Sequence, residues 1–240
     1  MAATDLVYRH RLFTRVWHWV NAVAVICMVM SGLMISNAHP RLYWGEFGAN
    51  FDRPWLDLTH WLPPDGRFPG WITIPSGYSL AVARHWHLFF AWVFAFGLLA
   101  YIIVGLINRH IQRDVALTRA EVAPRYLWHD IKEHARLRFG DGRAYNPLQK
   151  IAYGGTLFVL FPLVLFTGLA LSPGFDAVSH ISALFGGRSS ARSLHFIAMS
   201  GIAAFIAVHL ALVVLAGPWN EIRSMITGWY RTHDTHGEPA

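Results

Sequence analysis

Four stretches of the chain contain no Asp, Glu, Lys or Arg: residues 16–40, 85–108, 151–175 and 193–220. Each is at least as long as the roughly 20 apolar residues that a helix needs to cross a hydrocarbon core. The pattern predicts four transmembrane helices, at approximately 13–37, 80–108, 147–172 and 190–217, joined by residues 41–84, 109–150 and 176–192. The first apolar run is too long for a signal-peptide core and no A-x-A site follows it, so it reads as an uncleaved anchor. There is no tandem repeat and no low-complexity tract. The predicted fold is all-α, a single membrane domain over residues 1–240 built as a four-helix bundle.

Composition agrees with this reading. Hydrophobic residues make up 54% of the 240 and charged residues 14%, against about 25% charged in ordinary soluble domains. The isoelectric point of 9.8 would suit a nucleic-acid binder, but the placement of charge points to membrane orientation instead. Fourteen of the twenty Lys and Arg lie in 1–15, 109–150 and 221–240. The excess of basic residues on one side predicts both termini inside (N-in, C-in). Residues 41–84 are rich in Trp and Pro (Trp44, Trp55, Trp61, Trp71, Pro63, Pro64) and are expected along the outer interface, where amphipathic rings settle. Residues 124–139, PRYLWHDIKEHARLRF, read as a basic amphipathic helix on the inner surface. Cys27 is the single cysteine, and without C-x-x-C-H a covalent c-type haem is excluded.

Fourteen histidines remain to be explained. Nine of them lie in loops: His10, His39, His60, His110, His129, His134, His180, His233 and His236. They read as ordinary surface residues. His18, His85, His87, His195 and His209 lie in or at the ends of the apolar runs, where an ionisable group is costly and needs an inward partner. His195 and His209 are fourteen residues apart, which on an α-helix misses four full turns by only about 40° and spans about 21 Å. They share a face near opposite sides of the membrane. By depth, His18 pairs with His209 on the inside, and His85 or His87 pairs with His195 on the outside.

Two bis-histidine sites stacked in this way suit two b-type haems, because bis-axial ligation leaves no open position and favours electron transfer. Zinc fits less well, since each level offers two histidines and no Cys, Asp or Glu. A haem-free proton relay is the rival from another class, but it would more naturally need carboxylates among the spans. Three of the histidines follow an arginine at R-x-x-H: Arg15 before His18, Arg84 before His87 and Arg192 before His195. Residues i and i+3 share a helix side, so each arginine can pair with a haem propionate. At the same offset His85 has Val82, which favours His87 as the ligand. Gly32, Gly97, Gly105, Gly154, Gly155, Gly168 and Gly201 allow close approach by a neighbouring helix or a macrocycle.

The stretches FTRVWHWVNA, ARHWHLFFAW, YNPLQKIAYGG with FTGL, and RSLHFIAMSGIAAFIAVHLA resemble the bacterial cytochrome b561 and nickel–iron hydrogenase b-type cytochrome family. That family includes the gamma subunit of membrane formate dehydrogenases and the cytochrome b associated with thiosulfate reductase. The resemblance covers all four helices. It implies a di-haem subunit of the bacterial inner membrane linking a periplasmic redox enzyme, of hydrogenase or molybdenum type, to the quinone pool. Carried over, His18 and His209 are the ligands of the inner haem and His87 and His195 those of the outer one.

In the formate dehydrogenase relatives an N-x-x-Q-K stretch lies beside a quinone, and Asn146, Gln149 and Lys150 match it here. An amide can hydrogen-bond a quinone carbonyl, although Asn146 followed by Pro147 is also a plain helix start. Two departures stand out. Ser31-Gly32 replaces the Thr-Gly of many members, and the 41–84 loop is longer than in the small cytochrome b561 proteins. The alternative within this fold is a stand-alone oxidoreductase acting on superoxide or another small molecule with quinone.

Overall fold

The computed structural model describes residues 6–48, 52–118, 121, 123–136 and 146–231. Four helices are long and apolar enough to cross a membrane: Leu12–Ser36, Leu80–Ile107, Pro147–Leu171 and Arg188–Ala216. The first, second and fourth are α1, α2 and α7. The third span is composite, with α4 (Pro147–Gly155), a π-helical turn at Thr156–Leu160, and α5 (Phe161–Leu171). A short helix, α6 (Pro173–Ser179), follows it. The wide turn has a local cause in Pro162, which has no N–H to donate and whose ring clashes with the carbonyl four residues back. Large apolar side chains point outward from the spans, among them Phe89, Trp92, Phe96, Val208 and Val214. This is the surface expected of a protein whose solvent is lipid.

The chain forms two compact units. One comprises residues 1–20, 99–156 and 205–240. Here β1 (Leu6–Tyr8) pairs antiparallel with β4 (Trp229–Arg231), Val7 opposite Tyr230. Arg9 reinforces the pairing, with its guanidinium 3.3 Å from Glu221 and 4.8 Å from the centre of the Tyr230 ring. Gly228 closes α8 (Pro218–Thr227) at φ 91°, where a Cβ would meet Tyr8 and the His10 carbonyl at under 3 Å. Only glycine fits there. The amphipathic helix α3 (Pro124–Ala135) docks by its Asp130 carboxylate, which accepts the Leu148 amide at 2.9 Å. Residues 137–139 of the predicted amphipathic stretch, and His233 and His236, lie outside the described residues.

The other unit comprises residues 21–98 and 157–204. Its interior is built of small side chains, with Ala24, Ala83, Ala170, Ala191, Ala198, Ser31, Thr167 and Ser193 all fully buried. The loop after α1 returns through the two-residue strands β2 (Arg41–Leu42) and β3 (Leu56–Asp57). Serines in the first turns of α7 hold this loop. Ser193 accepts the Trp55 indole N–H at 2.8 Å and donates to the Tyr43 carbonyl at 2.6 Å, and Ser190 accepts the Gly45 amide at 2.7 Å.

Candidate functional site

The histidines of the spans meet in two opposed pairs, one in each unit. His87 on α2 faces His195 on α7, with ring centroids 6.2 Å apart and planes at 58°. His18 on α1 faces His209 on α7 at 6.4 Å and 61°. His85 is exposed and makes no hydrogen bond among the described residues, whereas His87 is turned inward. The two-residue offset therefore separates them as the helical period requires.

The His87–His195 pair is held by a matched set of contacts. Nδ1 of His87 lies 3.1 Å from the Met28 carbonyl and 3.1 Å from Ser31 Oγ. A carbonyl can only accept, so Nδ1 carries the proton. Ser31 donates its own hydrogen to the Cys27 carbonyl at 2.7 Å, leaving a lone pair for the histidine. Across the pair, Thr167 on α5 donates to the Leu163 carbonyl at 2.6 Å and stands 3.0 Å from His195 Nδ1. In each ring this leaves the Nε2 lone pair free.

The next residue is glycine in both cases. A Cβ at Gly32 would lie 3.5 Å from His87 Cε1, and one at Gly168 would lie 3.3 Å from His195 Cε1. Ser31-Gly32 and Thr167-Gly168 thus buttress one imidazole each. The serine that departs from the family's threonine keeps the hydroxyl that makes the contact.

The other pair is held differently. His18 Nδ1 is buried with no hydrogen-bond partner among the described residues. His209 lies flat against Phe205, with centroids 5.9 Å apart and planes 10° apart. Trp17 stacks on Tyr101 at 4.0 Å, and Trp19 donates to the Met225 carbonyl at 3.1 Å, which fixes the helix turn carrying His18.

Both spacings suit two imidazoles on opposite sides of one metal. Metal–nitrogen bonds of about 2 Å, with each ring centre about 1 Å beyond its nitrogen, give centroids about 6 Å apart. Among the described residues no group of three or more His, Cys, Asp or Glu could hold a metal ion. That argues against a protein-only zinc cage and for a metal that brings its own equatorial ligands. The free Nε2 lone pairs and the glycine clearances beside the rings fit a haem.

The arginines differ in how they are engaged. Arg15 donates to the Ile226 carbonyl, and its Nε is buried without a partner among the described residues. Arg84 is exposed and Arg192 half-buried, and among the described residues neither has a carboxylate partner. Of two further histidines read from the sequence as surface residues, His39 is exposed as expected and His10 is not. The pKa of His39 is lowered by burial and then by the charges of Arg192 and Arg84, which places it in their field. His10 is buried, and its pKa falls to about 4, chiefly through burial and then through Arg9, His18, His110 and Arg15. His10 reads as a surface residue in the sequence, and only the tertiary packing shows that it is buried.

Asn146 and Gln149 form a capping box at the start of α4, with Gln149 Oε1 accepting the Asn146 amide at 3.2 Å. Lys150 is buried and paired with Glu121 at 2.7 Å.

The prokaryotic cytochrome b561 family model matches residues 9–228. Among curated proteins, the chain is 29% identical to the "Putative protein-methionine-sulfoxide reductase subunit YedZ1" of Azospira oryzae, over 86% of this chain and 90% of that one. It is 26% identical to the "Probable Ni/Fe-hydrogenase B-type cytochrome subunit" of Cupriavidus necator, over 94% of this chain and 86% of that one. It is also 26% identical to the protein of the same name from Bradyrhizobium diazoefficiens, over 92% of this chain and 85% of that one. With four spans, two histidine pairs and a family match over almost its whole length, the chain belongs to the prokaryotic cytochrome b561 family, as a multi-pass electron-transfer cytochrome b of the bacterial inner membrane.

Proposed function

We propose that the protein holds two b-type haems and passes electrons between a periplasmic redox enzyme and the quinone pool. The observation that supports this most is the pair of opposed histidine couples, at 6.2 and 6.4 Å, each spaced for one six-coordinate iron. His87 and His195 hold one haem and His18 and His209 the other. A haem supplies one-electron chemistry when bound. The chain's own residues ligate it on both faces, exclude external ligands and surround it with apolar side chains. Arg84 and Arg192 at one site and Arg15 at the other pair with the propionates.

With both termini inside, the His87–His195 site and the 41–84 loop face the periplasm and the His18–His209 site faces the cytoplasm. The names of the relatives support a partner of hydrogenase or methionine-sulfoxide reductase type, and a periplasmic molybdenum enzyme belongs to the same reading. The quinone site falls to Asn146 and Gln149, in the unit that holds His18 and His209. The cap engages the Gln149 carbonyl and leaves its amide NH2 for a quinone carbonyl.

The test is reduction of the purified holoprotein in lipid vesicles by a short-chain quinol, followed in the haem α-band. Reduction of both haems is expected, with Gln149→Ala needing more quinol to reach the same rate. An α-band that quinol leaves unchanged would contradict the quinone reading.

A further inference from the structure

The two histidine pairs differ in what stands behind the rings, and the difference is electronic. Both members of the His87–His195 pair have Nδ1 within 3.1 Å of a hydroxyl, Ser31 Oγ or Thr167 Oγ1. Each hydroxyl has its own hydrogen committed to the carbonyl four residues back, Cys27 or Leu163. It is therefore fixed as an acceptor. A backbone carbonyl three residues back, of Met28 or Val164, adds a second acceptor to each ring.

At the other pair neither device is present among the described residues. His18 Nδ1 is buried without a partner, and the His209 ring is backed by Phe205. An imidazole whose N–H is drawn toward an acceptor becomes a stronger donor to its metal. A stronger donor favours the more positive, oxidised iron and so lowers the reduction potential.

We infer that Ser31 and Thr167 are potential-setting residues that make the His87–His195 haem the lower-potential one of the two. The inference rests on the two-haem reading above. Arginines stand at both sites, two at one and one at the other, and substitutions at Ser31 and Thr167 leave all three in place, so they read the axial hydrogen bonds alone. Electrons delivered to the His87–His195 site then move energetically downhill to the His18–His209 site, one at a time, with no bond made or broken. The arrangement suits a chain that takes electrons from a partner on the side of the Trp-rich loop and hands them to quinone.

The test is a redox titration of the purified holoprotein followed in the haem α-band. Ser31→Ala and Thr167→Val should each shift one midpoint to higher potential, and the double variant should shift it further. The second midpoint and the haem content should not move. Ser31→Thr and Thr167→Ser keep the hydroxyl and should titrate as the parent does. His18→Ala, left with the His87–His195 haem alone, should show the lower of the parent's two midpoints. Ser31→Cys, a weaker acceptor of similar size, should give a smaller positive shift and serves if the alanine variant fails to assemble. Unmoved midpoints with both haems present, or a His18→Ala protein titrating at the higher midpoint, would overturn the inference and leave the two-haem reading standing. A protein that binds no haem would overturn both.

Discussion

His18 and His209 face each other with ring centroids 6.4 Å apart, although one opens the first span and the other lies deep in the last. The same separation, within a few tenths of an ångström, recurs between His87 and His195. Two helix-borne imidazoles without a common partner have no reason to settle twice at one distance. The proposed haem iron between each pair accounts for the common spacing, and both pairs can be tested separately.

Removing one ligand should remove one haem. His87→Ala is expected to lower the haem content from two per chain to one, whereas His85→Ala should leave it at two. Haem extracted from equal amounts of purified protein measures this directly. The opposite outcome would mean that α2 presents its other face to the site.

The glycines beside the rings should not be equivalent. A methyl group at Gly168 would sit 3.3 Å from His195 Cε1, closer than ordinary contact, while at Gly32 it would sit 3.5 Å from His87 Cε1. Gly168→Ala must push the imidazole by a few tenths of an ångström, which matters in a close-packed interior. It should broaden the haem's low-spin spectrum and speed haem loss to apomyoglobin, with Gly32→Ala close to the parent.

The loop after α1 depends on one hydroxyl. Ser193 is fully buried and bridges the Trp55 indole and the Tyr43 carbonyl. Ser193→Ala leaves both groups without that partner, at about 1–3 kcal/mol. Faster proteolysis within residues 41–79, with the haem spectrum unchanged, is the expected result.

Acid should loosen the unit that holds the chain ends. Burial lowers the His10 pKa from 6.5 to about 4. The unfolded chain therefore binds the proton first, so the stability is full above pH 6.5 and is lost as pH falls toward 4. The melting temperature in detergent should drop over that window, and His10→Gln should flatten the drop relative to the parent. Parallel pH profiles would contradict the assignment.

Much of this is legible in the sequence because the strongest signals are local. Charge-free runs locate all four spans, and the helix bounds predicted from them lie within about two residues of the observed ends, such as 13–37 against Leu12–Ser36. The helical period puts His195 and His209 on one face and sets His85 apart from His87. The N-cap at Asn146 can be read from the proline that follows it. Other features depend on which helices meet. SGL at 31–33 and TGL at 167–169 are plain in the chain, yet their hydroxyls matter only because α1 packs on His87 and α5 on His195. The burial of His10 follows from the pairing of β1 with β4, a contact between the two ends of the chain. The π-helical turn at Thr156–Leu160 does have a local signal, Pro162, which a count of apolar residues passes over.

Whether each histidine pair holds one haem is decided by quantifying haem as its pyridine haemochrome against protein concentration. Two b-type haems per chain are expected, falling to one in His87→Ala and to one in His209→Ala. A colourless protein, or a single haem that survives both substitutions, would refute the assignment of one haem to each pair.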